Sequence, residues 1–193
     1  MEHHGGDKAL VSSTLQGALA KDETLTDTLA LMSRALVLFL TLASTLLILV
    51  GGLTIAWWAY HGDGWSVSVG LRETVFCSAD LCQTAPTGGQ DGDAQWVRAG
   101  AATYAASWLA CGLLLALLVT VLVRRRYDLI IKTAMVACAA ALVSGVVFVL
   151  QAPDYDGMSA GYSLYCYFAG CALGGLAGFA WLRSAHDSEQ AAE

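Results

Sequence analysis

The sequence has no asparagine and only three lysines, Lys8, Lys21 and Lys132. Without asparagine there is no acceptor residue for N-glycosylation. Alanine, glycine and leucine are abundant instead. This usage is typical of a GC-rich genome, so we expect a bacterial protein.

Charged side chains are also scarce, making up 13% of the chain. They are absent, together with histidine, from four long stretches: residues 35–60, 99–123, 133–153 and 157–182. Proton relays and transport sites in membranes are built from intramembrane ionisable groups. Their absence here argues against a pump or carrier that acts alone.

All four histidines, His3, His4, His61 and His186, lie outside these stretches. A haem held between apolar helices needs axial ligands inside the bundle. No set of nucleophile, base and orienting acid can be assembled from the stretches either. The net charge of −6 disfavours nucleic acid as a partner. The sequence therefore predicts a non-enzymatic protein with no cofactor and no metal.

What the sequence does contain is apolar, with 56% hydrophobic residues and a mean hydropathy of +0.58. Each charge-free stretch exceeds the roughly 20 residues that cross the hydrocarbon core of a bilayer as a helix. We therefore predict an all-α membrane domain of four transmembrane helices over residues 34–183. Residues 1–33 form an N-terminal tail with an amphipathic helix, which either lies on the membrane or docks on a partner. Residues 184–193 form a C-terminal tail.

Basic residues predict the orientation of the four spans. Arg34, Arg183 and a cluster between the second and third spans (Arg124, Arg125, Arg126 and Lys132) lie on one side, and only Arg72 and Arg98 lie on the other. Both termini are therefore expected in the cytoplasm, with the chain in a bacterial inner membrane. The polar loop 61–98 is expected outside. No basic segment precedes the first span, so no cleaved signal is expected.

The outer loop shows the pattern of a small antiparallel sheet. Trp65–Val69 alternates large apolar with small polar residues, the period of a half-buried strand. A second strand candidate runs from Leu71 to Cys77, and the short segment to Cys82 is long enough to turn a hairpin. Because thiols oxidise outside the cytoplasm, we predict a structural disulfide between Cys77 and Cys82. A redox-active pair or a pair of metal ligands are the alternatives.

Small residues recur every four positions in two of the predicted spans. Helices in a bilayer associate through close backbone contact, which small side chains permit. We therefore assign the residues of both series to helix packing: Gly170, Gly174 and Gly178 in the fourth span, and Ala102, Ala106 and Ala110 in the second.

Several motifs together resemble the claudin-like tetraspan superfamily. They are Trp65 followed by Gly70-Leu71 and two cysteines, Gln95-Trp-Val-Arg98 before the second span, and Gly161-Tyr-Ser-Leu-Tyr165 with Gly174-Gly175 in the fourth. The resemblance implies four spans with both ends inside, a disulfide and a sheet in the first outer loop. Arg72 stands where the family has a tryptophan, and the two cysteines are closer together than is usual in it. The barrier-forming strands of the family are not implied.

These features predict an accessory or scaffolding subunit that contacts partner membrane proteins through its outer loop and its small-residue helix faces. One alternative is a quinone-linked thiol-disulfide oxidoreductase, with Cys166 and Cys171 as a second outward pair. Because these two cysteines are five residues apart, they do not share a helix face. The other alternative is a self-assembling pore or strand former. Membrane lipids are expected contacts in every case.

Overall fold

The computed structural model describes residues 31–78, 81–87, 95–123, 125, 127–151 and 157–190, with residues 185–190 described by their backbone alone. The amphipathic helix predicted in the N-terminal tail lies outside the described residues. The chain divides into two compact units, Met1–Leu36 and Val37–Glu193. Every contact discussed below lies within the second unit.

Four long apolar helices make up most of the described chain: α1 (Leu31–Leu53), α2 (Gln95–Leu122), α3 (Asp128–Gln151) and α4 (Tyr162–Gln190). Their most apolar windows have mean hydropathies of 2.5, 2.3, 2.4 and 1.3, the last within Tyr162–Ser184. By length and composition all four are candidate membrane spans. The predicted four-helix bundle with four candidate spans is confirmed.

The boundary of the first span differs from the prediction. The charge-free stretch continues to Tyr60, but α1 ends at Leu53 and Trp58–Gly62 forms a strand, β1. The absence of charge distinguishes an apolar segment from a polar one and carries no information on its backbone conformation. Tryptophan and tyrosine favour strands, and the Trp57 amide donates a hydrogen bond to the Val69 carbonyl, 3.0 Å away. Pairing with a neighbouring strand therefore decides the conformation here.

Glycines of α4 lie where neighbouring helices come closest. A Cβ atom added to Gly170 would stand 2.8 Å from the Ile48 backbone nitrogen of α1, and one on Gly178 would stand 2.5 Å from Met135 of α3. The Ser44 hydroxyl donates a hydrogen bond to the Gly170 carbonyl over 2.7 Å. The glycine series predicted for packing thus lies against α1 and α3 of the same chain.

The alanine series of α2 is only partly at a packing surface. Ala110 is fully buried, Ala106 is half-buried and Ala102 is exposed. The buried side of α2 instead runs through Thr103 and Ser107 to Ala110. Four-residue spacing drifts around a helix of 3.6 residues per turn, and Ala102 therefore falls outside the buried side.

A five-stranded antiparallel sheet lies between α1 and α2 in the chain order, with its last strand from the segment between α3 and α4. Its strands are β1, β2 (Trp65–Val69), β3 (Glu73–Ser78), β4 (Leu81–Pro86) and β5 (Ser159–Ala160), in the order β4-β3-β2-β1-β5. The predicted small antiparallel sheet is confirmed. It is larger than expected because β1 comes from the apolar stretch before the loop and β5 comes from the second connection.

Trp57 joins the sheet to the helices. Its ring is fully buried and lies 5.4 Å from Phe148 of α3 and 5.1 Å from Tyr167 of α4, measured between ring centroids. The Trp57 carbonyl accepts a hydrogen bond from the Gly161 amide, just before α4. The sheet is therefore attached to the bundle through a buried aromatic cluster and by backbone hydrogen bonds to both connections.

Candidate functional site

A disulfide between Cys77 and Cys82 joins β3 to β4, as predicted. The two residues are direct partners in the strand register, and their Cα atoms are 4.1 Å apart. This short separation is typical of the antiparallel pairs whose own backbone groups point away from each other. The disulfide therefore fixes the register of a hairpin that includes the strand at the end of the sheet.

The strand register divides the sheet into two different faces. Residues directly opposite one another in neighbouring strands share a face, and each face takes alternate residues of a strand. One face is mostly polar and carries the disulfide: Ala59, His61, Ser66, Ser68, Glu73, Val75, Cys77, Cys82, Thr84 and Pro86. The other, which we call the apolar face, carries all the aromatic residues of the described strands and three polar residues, Thr74, Ser78 and Gln83. Its members are Trp58, Tyr60, Gly62, Trp65, Val67, Val69, Thr74, Phe76, Ser78, Leu81, Gln83 and Ala85.

Among the described residues, the helices contact the apolar face at one end. Trp58 and Val69 are at the covered end, where Trp58 lies 5.0 Å from Phe148 of α3 and Val69 is buried. Farther out, Tyr60 stacks on Trp65 at 4.5 Å, and Trp65 lies 5.8 Å from Phe76. We call Tyr60, Trp65 and Phe76 the aromatic strip.

The aromatic strip leaves large apolar groups in contact with the surroundings. Trp65 is 40% exposed and Phe76 is 44% exposed, while Leu81 beyond them is 76% exposed. Contiguous exposed apolar surface of this kind marks sites of contact with proteins or membranes. Trp65 thus lies at the centre of a candidate contact surface.

Strand β4 forms one edge of the sheet. It carries no charged residue, and all six of its residues are exposed. Among the described parts of the chain, no strand pairs with its outer side. Edge strands are normally protected by lysines, by twist or by a covering segment, because their free N–H and C=O groups pair readily with another strand. Within the described residues, the protective feature of β4 is Pro86 at its end.

Gly70 and Leu71 have structural roles at the base of the sheet. The Gly70 amide donates a hydrogen bond to the Glu73 carbonyl over 2.8 Å, closing a tight turn before β3. A Cβ on Gly70 would stand 2.9 Å from the Ile55 Cα atom, so a larger residue does not fit without movement. Leu71 is 3% exposed and belongs to the hydrophobic core. Arg98 is exposed in the first turns of α2.

The thiols of α4 do not form an outward pair. Cys171 is buried in the core beside the helix packing surfaces, whereas Cys166 is half-buried and lies on a different side of the helix. Cys111 and Cys138 are buried as well. Within the described ranges, no group of three or more His, Cys, Asp or Glu side chains is placed to hold a metal ion.

Sequence reasoning missed the position of Trp57 and the role of Tyr167. No local pattern in the sequence identified Trp57 and Tyr167 as buried, yet both are fully buried. The Tyr167 hydroxyl donates to the Ala141 carbonyl over 2.8 Å. The Tyr167 ring packs against Gly145 of α3, where an added Cβ would stand 2.7 Å from the ring. A glycine within an apolar helix is the one feature of the sequence that agrees with this close contact.

Comparison with known proteins gives no family to which the chain can be assigned. No protein-family model matches the sequence, and no curated protein matches it.

Proposed function

We propose that this chain is a non-enzymatic integral membrane protein, a claudin-like accessory or scaffolding subunit. Its sheet docks an extracytoplasmic segment of a partner membrane protein. The observation that carries the proposal is the exposed, uncharged outer edge of β4 beside the aromatic strip.

An extended partner segment can add to such an edge as a further strand. Backbone hydrogen bonds then provide affinity, and side-chain contacts on the adjoining face provide specificity. Because Leu81 and Phe76 lie on the apolar face next to this edge, the partner segment meets both kinds of contact together.

The five-stranded sheet forms within this single chain, without a partner. The disulfide holds β4 to β3, and the Trp57 cluster holds the other end of the sheet to the bundle. A preformed binding surface loses less conformational entropy on association than a flexible one. These features favour recognition as the task of the sheet.

The proposed orientation places the sheet outside a bacterial inner membrane and both termini in the cytoplasm. The distribution of arginine and lysine supports this orientation. The oxidised Cys77–Cys82 pair supports it too, because disulfides persist on the oxidising side of a membrane.

The helix surfaces left for partners differ from the glycine series. Gly170, Gly174 and Gly178 contact other helices of the same chain, whereas a Cβ on Gly112 or Gly175 would meet no described atom within 4 Å beyond the backbone of its own helix. We therefore propose that small-residue contact with a partner helix uses the sides of α2 and α4 that carry Gly112 and Gly175.

Purification in a gentle detergent tests the proposal. An accessory subunit is expected to retain one or more unlike chains in a fixed ratio, which mass spectrometry of the purified complex measures. A homo-oligomer with no other chain would contradict it and favour the self-assembling alternative, in which β4 pairs with β4 of a second copy.

A further inference from the structure

A groove with two chemically different halves runs between α1 and α2 up to the turn that precedes β3. The upper half is a cavity of about 110 Å³ and the lower half is a cleft of about 10 Å³. The two halves share Gly52, Leu53 and Tyr104. About 10–15 Å³ of such space holds one water molecule, so the upper half accommodates a group of several heavy atoms.

The upper half contains a positioned cation. The guanidinium carbon of Arg72 lies 4.9 Å from the centroid of the Tyr104 ring, and both residues line the cavity. A guanidinium that stacks on an aromatic ring still has its N–H donors free in its own plane, and these donors match the oxygens of a phosphate group.

The backbone of Arg72 is held by a hydrogen bond, in addition to the contact that its side chain makes with Tyr104. Arg72 lies in the turn that the hydrogen bond from the Gly70 amide to the Glu73 carbonyl closes. Its own carbonyl accepts a hydrogen bond from the Thr87 amide over 2.7 Å. The Thr87 hydroxyl donates to the Gly70 carbonyl and is itself buried. The exposed Arg72 side chain therefore extends from a turn whose backbone is held by hydrogen bonds, and its guanidinium lies over the Tyr104 ring.

The lower half is lined by apolar side chains and extends along the helices. Ile48 and Leu49 of α1 contribute one wall and Trp108 of α2 contributes the other, with Leu53 at the junction. Leu53 is 54% exposed and Trp108 is 50% exposed. Because the enclosed space of the cleft is about that of one water molecule, an extended acyl chain would lie along its exposed apolar rim, formed by Leu53 and Trp108.

We propose that this groove binds one glycerophospholipid, with its phosphate on the Arg72 guanidinium and one acyl chain along the cleft lined by Leu53 and Trp108. The carboxylate of Glu73 also lines the upper cavity. It disfavours a headgroup that carries only negative charge and favours a zwitterionic one. An ion without a chain would leave the apolar half unused, and an apolar chain without a phosphate would leave Arg72 unused.

The test uses the full-length protein stripped of lipid by detergent exchange, with dioleoyl phosphatidylethanolamine as the probe. Native mass spectrometry measures the fraction of protein that carries one lipid as its concentration is raised. We expect Arg72→Gln and Leu53→Trp each to weaken binding about tenfold, the first by removing a charge-assisted contact and the second by filling the cleft. The matched controls Arg183→Gln and Leu115→Trp, at exposed positions outside the groove, are expected to bind as the wild type does.

A second arm separates a bound lipid from a bound free anion. Inorganic phosphate at millimolar concentration is expected to displace the lipid poorly, because it makes no contact with the cleft. Equal binding by the wild type and Arg72→Gln would overturn the proposal. So would complete displacement by phosphate, or unchanged binding in Leu53→Trp. Since Leu53 is exposed, that variant keeps the test informative even if Arg72→Gln unfolds.

Discussion

The indole nitrogen of Trp57 donates a hydrogen bond to the carbonyl oxygen of Gly51, 2.6 Å away. Gly51 lies in the last turn of α1, where helical carbonyls have no partner within the helix. One buried side chain therefore satisfies the end of a candidate membrane span and fills the space between that span, α3 and α4. It is the point at which the chain changes from helix to sheet.

Trp57→Phe is expected to lower the free energy of unfolding by about 1–3 kcal/mol, because it leaves the buried Gly51 carbonyl without its donor. Trp57→Ala is expected to cost more, about 3–5 kcal/mol, because it also opens a cavity. Chemical denaturation in detergent micelles measures both. The exposed Trp65→Phe is the matched control and should change stability by less than Trp57→Phe. Equal effects of Trp57→Phe and Trp65→Phe would contradict the role of the hydrogen bond.

Gly174→Ala is expected to destabilise the bundle, whereas Gly175→Ala is not. A Cβ on Gly174 would stand 2.7 Å from both the Cys138 sulfur and the Ser44 hydroxyl oxygen, while one on Gly175 would meet nothing within 4 Å. Overpacking of this kind costs about 1–3 kcal/mol, and alanine otherwise favours a helix over glycine. Thermal unfolding of the two variants side by side measures the difference. Similar unfolding temperatures would show that α4 does not pack through Gly174.

Replacing Cys77 and Cys82 together by serine is expected to lower stability by about 2 kcal/mol, the effect of the small covalent loop in the chain-entropy model. Partner retention in detergent should fall with it, because the register of β4 is no longer fixed. Reduction of the wild-type protein should have the same effect as the double substitution. A double variant that is fully stable but has lost an ability to oxidise a substrate thiol would favour the oxidoreductase alternative instead.

Thr84→Pro is expected to abolish partner binding with little loss of stability. The register makes Thr84 the partner of Val75, two positions from the Cys77–Cys82 pair, so its amide points away from β3 toward the free edge. Proline at that position removes an outward donor and leaves the ladder to β3 intact. Co-purification and thermal unfolding are measured together.

Gln83→Pro is the matched control for the edge, because the Gln83 amide points toward β3. It is expected to reduce stability as well as binding. A Thr84→Pro variant that retains its partner would show that the edge of β4 is not the docking site, whether or not Gln83→Pro loses binding.

Both termini are expected in the cytoplasm. Alkaline phosphatase joined after residue 193 should be inactive and a fluorescent protein at the same place should be bright, since each reports the opposite side of a bacterial inner membrane. Insertion of alkaline phosphatase in the loop between β4 and α2 should give an active enzyme. The reverse pattern would contradict the proposed orientation.

The sequence was most informative where one physical quantity decides the outcome. Charge-free length identified four helices long and apolar enough to span a bilayer. The alternation at Trp65–Val69 identified β2, and the close pair Cys77 and Cys82 identified the hairpin disulfide. Local patterns suffice for these features because each depends on residues near one another in the chain.

The sequence was less informative where distant segments meet. Tyr60 belongs to the same apolar stretch as α1, yet it lies in a strand, because Val69, Val67 and their neighbours provide the backbone partners. The pairing of β5 with β1 joins segments about a hundred residues apart, and no local pattern at Ser159 predicts it. The stacking of Arg72 on Tyr104 likewise joins residues from different segments of the chain, and no local pattern predicts it.

The sequence by itself determined the four apolar helices and the disulfide-linked hairpin between the first two. Both features depend on hydropathy and spacing among residues that are close together in the chain. The tertiary structure alone decided that Trp57 is buried, that the glycines of α4 face α1 and α3, and that Trp65, Phe76 and the residues of β4 are exposed. Burial and exposure depend on which distant surfaces meet, and only the packed chain specifies that.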